Sequence, residues 1–512
     1  MANTALLERE YALPPMGELC LATASSGGAA TVTLLAQVED SGEEPRAEIF
    51  GTELSTGVVV HLPVARSLAV FSPTGCRLVL TASSAVHQIC YGTTCNATRA
   101  RSVADIHTHL EVQRVKARRT GADGIGPHVL FVAERRAVGT STYVRTLINY
   151  AVRLGYHPLL LDASVEAPRF GYPGVVSLYA MQYTIDIENE MAFVPGLHSH
   201  QGTKKHEDPA LFLHILRQMM RLSTERMARS DRCRVGGIFV DYGTISRAVV
   251  EDAEAWECAE EKPEGRPKVN PLDVLVSTIL AAGIDHVFVV GSSWLRFKIA
   301  QRLHQESGAQ SEIPQITPST ITCSNGLKVQ LFLLDSTECG AVPDDAFFNR
   351  QCWLQYFFGS RTMAVKPTLF TVDASLIRLV TIGRGDTSGT STFMPMIDDD
   401  SDHQDPTVSG QADVALTYVH PQDVDIKNRV LALSTATEQE ELPDGTLQRI
   451  PFAVFESRLK RGLLMGFALV ESVTAGSVTL LTNAAGIRKD IGLCFIVTDQ
   501  QLMAQADVEP PT

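Results

Sequence analysis

The chain has 512 residues, of which 45% are hydrophobic and 20% are charged, and its formal net charge is −14. This length and composition predict a globular protein of two to four domains. The acidic balance argues against a protein that grips RNA over its whole surface, because phosphate binding needs clustered lysine and arginine. No apolar run reaches the roughly 20 residues that span a bilayer. We therefore expect protein partners, RNA contact only through local basic patches, and no membrane.

The first part of the chain has the pattern of a β-sandwich. Between Glu18 and Gly92, short apolar runs rich in β-branched residues alternate with turn residues at a spacing of about ten. The segment from Arg99 to Arg119 is basic and helical in pattern. Its charges fit either a solvated helix face that links two domains or a patch that faces RNA. We predict a first domain over residues 1–101.

The middle of the chain has the pattern of an α/β domain. Five nearly continuous apolar runs, separated by helical segments, predict parallel strands that are covered on both faces. They are His128–Ala133, Pro158–Asp162, Gly237–Asp241, His286–Gly291 and Val329–Leu334. Strand patterns such as RVLALST and FALVESV return towards the end of the chain. We predict an α/β domain over residues 102–355 and a C-terminal β-rich domain over residues 356–512.

A damaged phosphate loop follows the first of these strands. A Walker A loop reads G-x-x-x-x-G-K-[ST]: its N–H groups cradle phosphates, its lysine reaches the β- and γ-oxygens, and its hydroxyl binds Mg²⁺. Residues 134–142 read ERRAVGTST, so Gly139 and Ser141 are kept, but Glu134 replaces the first glycine and Thr140 replaces the lysine. The strand, loop and helix predict a P-loop NTPase-like domain. ATP and Mg²⁺ should bind weakly or not at all, because Glu134 repels phosphate and Thr140 is uncharged.

Four ordered matches to one family surround this loop. They are AEIFGTEL at residues 47–54, NYAVRLG at 149–155, YFFG at 356–359 and LSTA at 433–436. In these segments the chain resembles the Clp-type polynucleotide kinase family. Members are subunits of the eukaryotic mRNA 3′-end cleavage factor, and some phosphorylate RNA 5′-hydroxyls. The resemblance implies three domains in the order β-sandwich, P-loop core and C-terminal β domain.

The resemblance also implies a nucleotide site. The family's adenine-binding glutamate and lysine fall at Glu18 and Ser67, with Arg66 beside the latter as a possible substitute. Ser141 would be the Mg²⁺ ligand if a nucleotide binds. The contacts to ATP in the loop would come from Ala137, Val138, Gly139, Thr140, Ser141 and Thr142.

The catalytic positions of the family are less well kept. Its aspartate, which acts on the RNA hydroxyl or the metal, falls at Asp162. The nearby glutamine position holds Val165, and the position of a substrate-clamping tryptophan holds Thr244. Neither replacement can do the work of the residue it replaces, so Asp162 is expected to be vestigial.

Together these losses predict a non-catalytic scaffold and RNA-processing subunit of the nuclear mRNA 3′-end cleavage and polyadenylation complex. An active ATP-dependent polyribonucleotide 5′-hydroxyl kinase is one alternative, and an ATP-binding but non-hydrolysing structural subunit is another. The family implies a Pcf-type scaffold and other cleavage-factor subunits as partners. We expect the Pcf-type partner at the seam between the central and C-terminal domains, near the aromatic residues Trp353, Tyr356, Phe357 and Phe358.

Overall fold

The structure is a computed structural model. It describes residues 7–23, 30–36, 45–63, 66–82, 86–92, 97–191, 194–202, 205, 208–258, 269–308, 319–337, 345–360, 363–383, 415–420, 426–437, 439–441, 446–474, 476–483 and 493–502. Within these residues the chain forms a β-sandwich, a P-loop α/β core and a C-terminal β-rich region. This order confirms the predicted fold class.

The N-terminal β-sandwich has one four-stranded and one five-stranded sheet, in the orders β1-β8-β3-β6 and β5-β4-β7-β2-β9. Its core is made of alternating inward residues such as Leu19, Leu21 and Val32. The strands are β1 (Leu7–Leu13), β2 (Gly17–Thr23), β3 (Ala30–Leu34), β4 (Glu48–Ile49), β5 (Thr52–Glu53), β6 (Val59–Leu62), β7 (Ser67–Ser72), β8 (Cys76–Ala82) and β9 (Val86–Gly92).

The central region is a mixed sheet with helices on both faces, in the order β13-β12-β11-β14-β10-β15-β17-β16. Its strands are β10 (His128–Ala133), β11 (Leu159–Asp162), β12 (Val175–Ala180), β13 (Gly196–His200), β14 (Ile238–Thr244), β15 (His286–Val290), β16 (Ser319–Thr322) and β17 (Lys328–Leu334). Its helices are α1 (Ala97–Thr120), α2 (Thr140–Arg153), α3 (Pro209–Arg229), α4 (Asp231–Gly236), α5 (Arg247–Cys258), α6 (Pro271–Ala282), α7 (Ser293–Ser307) and α8 (Asp345–Phe358).

The five predicted strands form the parallel centre of this sheet, while β12, β13 and β16 add antiparallel edges that the sequence did not predict. The apolar runs reflect burial on both faces. In β10, Leu130 and Val132 pack into one core cluster, and Val129 and Phe131 pack into the cluster on the opposite face.

The C-terminal region is one seven-stranded sheet in the order β18-β25-β24-β21-β26-β19-β20, with a separate pair β22-β23. The strands are β18 (Thr368–Asp373), β19 (Ile377–Gly383), β20 (Ala415–Val419), β21 (Arg429–Ser434), β22 (Gln439–Glu441), β23 (Leu447–Arg449), β24 (Leu464–Val473), β25 (Ser477–Thr482) and β26 (Leu493–Gln501), and helix α9 (Phe452–Arg461) lies between β23 and β24.

The sandwich and the P-loop core are in contact through two segments that match the family, residues 47–54 and residues 149–155. Asn149 on α2 donates its Nδ2 to the Phe50 carbonyl at 2.8 Å, and its Oδ1 accepts from the Ile185 amide at 2.8 Å. One turn further on, Arg153 Nη1 bonds Glu48 Oε2 at 2.7 Å. AEIFGTEL and NYAVRLG are therefore the two halves of one interdomain contact.

Helix α8 joins the central core to the C-terminal sheet. Trp353 and Phe357 are completely buried, while Tyr356 and Phe358 are partly buried. Trp353 stacks on Tyr172 with ring centroids 5.3 Å apart and meets Phe467 edge-on at 4.8 Å. Two of the four aromatic residues predicted to lie near a partner are thus core of the junction, and the two partly buried ones reach the surface.

Helix α1 carries the basic segment. Arg101, Lys116, Arg118 and Arg119 are exposed, as a patch requires. Arg114 is instead completely buried, and its guanidinium lies 5.3 Å from the Tyr156 ring, so it does not belong to a surface patch. Among the described residues, no helix combines the length and apolarity needed to cross a membrane.

Candidate functional site

The loop between β10 and α2 keeps the shape of a phosphate loop. Gly139 is the N-cap of α2, with a φ of 95°, in the left-handed region that glycine adopts without strain. A β-carbon at this position would lie 1.8 Å from Thr337 Oγ1. Ala137 also has a positive φ of 58°. Helix α2 begins directly after this loop, and the N–H groups of a first helical turn favour an anion.

A pocket of about 200 Å³ opens in front of this loop, between the sandwich and the central core. It is bounded by the loop, by β7 of the sandwich, by the ends of β11 and β14, and by α8. Among the described residues, six basic side chains line it: Arg66, Arg135, Arg136, Arg145, Arg169 and Lys205. Three acidic side chains do so as well: Glu166, Glu190 and Asp241. The pocket is therefore suited to an anionic ligand.

The hydroxyl of Ser141 is held by a carboxylate at the end of the neighbouring strand. Ser141 Oγ donates to Asp241 Oδ2 at 2.6 Å. Asp241 is buried, and burial together with repulsion from Asp162 raises its pKa to about 7. A P-loop hydroxyl and an aspartate on an adjacent strand are the protein ligands of Mg²⁺ in P-loop NTPases. The donor set thus fits Mg²⁺.

Asp162 is completely buried and fully engaged. Its Oδ1 accepts from the Ser164 amide at 2.9 Å, and its Oδ2 accepts from the amides of Phe170 and Gly171 at 2.9 and 2.8 Å. Burial raises the pKa of this carboxyl, and the three amides oppose the shift. In this geometry Asp162 closes the loop that follows β11, and Val165 within that loop is also buried.

The side of the pocket away from the phosphate loop is built from arginines around one glutamate. Arg66 forms a two-bond pair with Glu190, at 3.2 and 2.7 Å, and Arg145 Nη1 lies 3.5 Å from the same carboxylate. Burial by itself would raise the pKa of Glu190, but these cations outweigh burial and lower the pKa. The guanidiniums of Arg66 and Arg169 lie 4.0 and 4.3 Å from the ring centroid of Phe348 on α8.

Most of the predicted nucleotide contacts lie at this pocket. Ala137, Gly139, Thr140, Ser141 and Thr142 line it, and so does Ser67 on β7. Val138, in the same loop, is buried, and its carbonyl accepts a hydrogen bond from the Thr337 amide at 2.8 Å. Glu18 is buried on β2 and is not among the residues that line the pocket. Its contact with adenine remains a prediction.

Glu134 does not face the phosphate position. Its Oε2 accepts from Ser292 Oγ, the hydroxyl that caps α7. The expected repulsion between Glu134 and a nucleotide is therefore weaker than the sequence suggested.

Sequence reasoning missed several residues of the pocket. Asp241 could have been found, because it ends a predicted strand, and the carboxyl ends of parallel strands meet at the ligand-binding edge. Lys205, Arg145 and Arg169 carry no such signal. Lys205 follows a strand that was not predicted, Arg145 lies within a helix, and Arg169 lies in an irregular loop.

Two family descriptions match the chain. Residues 13–117 match the N-terminal β-sandwich domain of polyadenylation factor, and residues 135–251 match the P-loop of the mRNA cleavage and polyadenylation factor CLP1. The two matches cover the sandwich and the part of the core that contains the phosphate loop.

Curated relatives carry the same name. The polyribonucleotide 5′-hydroxyl-kinase Clp1 of Danio rerio is 23% identical over 397 residues, which are 77% of this chain and 76% of that protein. The mRNA cleavage and polyadenylation factor clp1 of Botryotinia fuckeliana is 25% identical over 63% of each chain. The CLP1 homolog of Drosophila grimshawi is 30% identical over 46% of this chain and 51% of that protein.

Solved structures support the fold over nearly the whole chain. A chain from a structure of the extended Pcf11p–Clp1p interface has a TM-score of 0.67 and 16% identity, with 97% of this chain and 99% of that chain covered. A chain from the wild-type Clp1p–Pcf11p complex has a TM-score of 0.66 at the same identity. With the sandwich, the phosphate loop and the named relatives in agreement, the chain belongs to the Clp1 family.

Proposed function

We propose that this chain is a non-catalytic subunit of the nuclear mRNA 3′-end cleavage and polyadenylation machinery, derived from an RNA 5′-hydroxyl kinase. The observation that carries the proposal is the contrast between a phosphate loop that keeps its shape and catalytic positions that have lost their chemistry. Thr140 replaces the lysine, and both oxygens of the Asp162 carboxylate accept hydrogen bonds from backbone amides, three in all.

A kinase of this type needs a group that accepts the proton of the attacking hydroxyl or positions it. Asp162 is enclosed, and its accepting oxygens are already used. Val165, at the family's glutamine position, is buried and has no polar atom to offer. Thr244 lines the pocket at the tryptophan position and offers no aromatic surface for an RNA base. These three residues support binding without transfer.

The catalytic part of the proposal is tested with ATP labelled on the γ-phosphate and an RNA oligonucleotide bearing a 5′-hydroxyl. The expected result is no label transfer, with the Danio rerio kinase as positive control. Robust transfer that disappears in an Asp162→Ala variant would refute the proposal in favour of an active kinase.

The partner we propose is a Pcf11-type scaffold, as in the solved Clp1p–Pcf11p structures. The seam between the core and the C-terminal sheet offers Phe358, which is partly buried, and Met363, which is 49% exposed. A partner peptide that covers Phe358 and Met363 would bury more apolar surface next to the aromatic junction. Aromatic residues and methionine are enriched at protein interfaces. RNA contact is proposed for the exposed cations of α1.

A matched pair of variants tests the seam. Met363→Glu should release cleavage and polyadenylation subunits that the unmodified chain recovers from nuclear extract, without lowering the melting temperature. Met16→Glu, at a methionine that is 50% exposed in the sandwich, should retain them. Recovery of ribosome-biogenesis proteins alone would overturn the assignment.

A second candidate function is favoured by the charge of the pocket, namely an ATP-binding but non-hydrolysing subunit. The pocket lies between the sandwich and the core, and in the part of the chain that the structure describes six cations line it against three carboxylates. A nucleotide held there would contact both domains and stabilise their docking by mass action. Denaturation of the purified protein and chromatography of the released small molecules tests whether it carries ATP or ADP.

A further inference from the structure

Lys205 is a buried lysine at the phosphate pocket. It is 6% exposed and lines the same pocket as Gly139, Thr140, Ser141 and Thr142. Burial lowers its pKa to about 8, whereas Glu166, Asp241 and Asp162 oppose that shift. A buried ammonium is costly unless it is paired, so these carboxylates are needed to keep it charged.

The ammonium of Lys205 is anchored at the edge of the sheet where the phosphate loop begins. Its Nζ donates to the Tyr242 carbonyl and lies 3.8 Å from the centroid of the Tyr242 ring. Tyr242 is on β14, which pairs with β10 in parallel up to Ala133, the last residue before the loop. The cation is therefore fixed one strand away from the strand that carries the loop.

The same ammonium lies close to the pair of groups that would hold a metal. Asp241, one of the carboxylates that raise the pKa of Lys205, accepts the hydrogen bond from Ser141 directly. In a P-loop NTPase the metal ion lies between such groups and the phosphates and neutralises their charge. Here Asp241 and the Lys205 ammonium attract each other, and a divalent ion that approached Asp241 would be repelled by this nearby ammonium.

We propose that Lys205 is the phosphate-binding cation of this chain. It takes the place of the lost P-loop lysine and of part of the metal's charge, so that a nucleoside triphosphate binds without Mg²⁺. The triphosphate accepts hydrogen bonds from the N–H groups of the loop and from the Lys205 ammonium, which remains held over Tyr242. This inference rests on the proposed nucleotide site and not on the proposed partner.

A titration calorimetry experiment with ATP and the 512-residue chain tests the inference, once in excess Mg²⁺ and once in EDTA. We expect the two affinities to agree within about threefold. Lys205→Met keeps the length and apolar stem of the side chain and removes the charge. It should weaken ATP binding about 10- to 100-fold, the value of one hydrogen bond from a charged donor.

Lys298→Met is the control, because Lys298 is a partly buried lysine whose ammonium bonds the Glu254 carboxylate at 2.8 Å and is not among the residues that line the pocket. It should leave ATP binding unchanged. The double variant Lys205→Met with Thr140→Lys shows whether Lys205→Met weakens ATP binding by removing a charge or by unfolding the pocket. Returning the cation to the loop should restore affinity and make it depend on Mg²⁺.

Two results would overturn the inference. If ATP binds only with Mg²⁺ and Lys205→Met binds as tightly as the unmodified chain, Lys205 is a structural ion-pair partner and the nucleotide site stands without it. If the unmodified chain binds ATP under neither condition, both the inference and the proposed nucleotide site are wrong. Capture of cleavage-factor subunits is a separate measurement and is affected by neither result.

Discussion

Replacement of Asn149 by alanine should open the contact between the sandwich and the P-loop core. The side chain is completely buried and forms three hydrogen bonds, with the Phe50 carbonyl at 2.8 Å, Thr52 Oγ1 at 3.0 Å and the Ile185 amide at 2.8 Å. Thr52 keeps a second bond to the Ile185 carbonyl. The Phe50 carbonyl and the Ile185 amide would lose this buried partner.

The magnitude follows from these bonds. Each buried hydrogen bond contributes about 1 kcal/mol net, and each buried group left unpaired costs about 1–3 kcal/mol. Counting about 1 kcal/mol for the bond to Thr52 and about 1–3 kcal/mol for each of the two groups left unpaired, we expect Asn149→Ala to destabilise the domain contact by about 3–7 kcal/mol. A chain with several domains does not unfold in one step, so the effect is better measured at the contact than as one melting temperature.

Hydrogen exchange provides that measurement. The Leu54 amide bonds the Ala47 carbonyl at 2.8 Å on the sandwich side of the contact, and Asn149 is not a partner in this bond. Opening of the contact should raise its exchange rate at least about 100-fold. Asn325→Ala removes one exposed bond, to the Leu327 amide, and is the matched control. Equal protection of Leu54 in both variants would show that Asn149 does not hold the domains together.

Three further outcomes are expected. Gly139→Ala should abolish ATP binding and lower the melting temperature. The new methyl group would overlap Thr337 Oγ1, and alanine would be strained at a φ of 95°. Unchanged ATP binding would mean that the loop has another conformation. Thr140→Lys should raise the ATP affinity measured by calorimetry about tenfold, the effect of one charge-assisted hydrogen bond. Adding Glu134→Gly should change the affinity little, because the Glu134 carboxylate is bonded to the Ser292 hydroxyl. A gain in affinity that needs both changes would place Glu134 at the phosphates. Burial lowers the pKa of His200 to about 4, so its contribution to local stability is complete above about pH 6.5 and is lost as the pH falls towards 4. Hydrogen exchange of the amides of β13, the strand on which His200 lies, should show that the free energy of local opening falls by about 3 kcal/mol over this range, and His200→Gln should remove the fall. An equal pH dependence in both proteins would refute the assignment.

Local patterns in the sequence were sufficient to predict the strand, loop and helix of the phosphate-loop region. The strand 128–133, the loop 134–142 and the helix after it were predicted because each depends on residues within a few positions of one another: a continuous apolar run, a glycine with positive φ and a helical apolar stripe. The order of sandwich, α/β core and β-rich region followed from the changes in apolar spacing along the chain. The antiparallel strands β12, β13 and β16 were missed. Strands β13 and β16 are short edge strands with partly exposed residues, whereas β12 has six residues and is buried, so its length and burial do not explain why it was missed.

Only the tertiary structure decided which residues share a site. Asp241 reaches Ser141 because two parallel strands end at the same edge of the sheet. Lys205 reaches that edge from a connection 65 positions beyond Thr140, and no pattern within the connection marks its direction. The matched segments at 47–54 and 149–155 are separate stretches of the sequence, and only the tertiary structure shows that they contact each other, through the bond from Asn149 to the Phe50 carbonyl. Sequence periodicity reports burial along one element, whereas contacts between distant elements depend on how the topology brings their ends together.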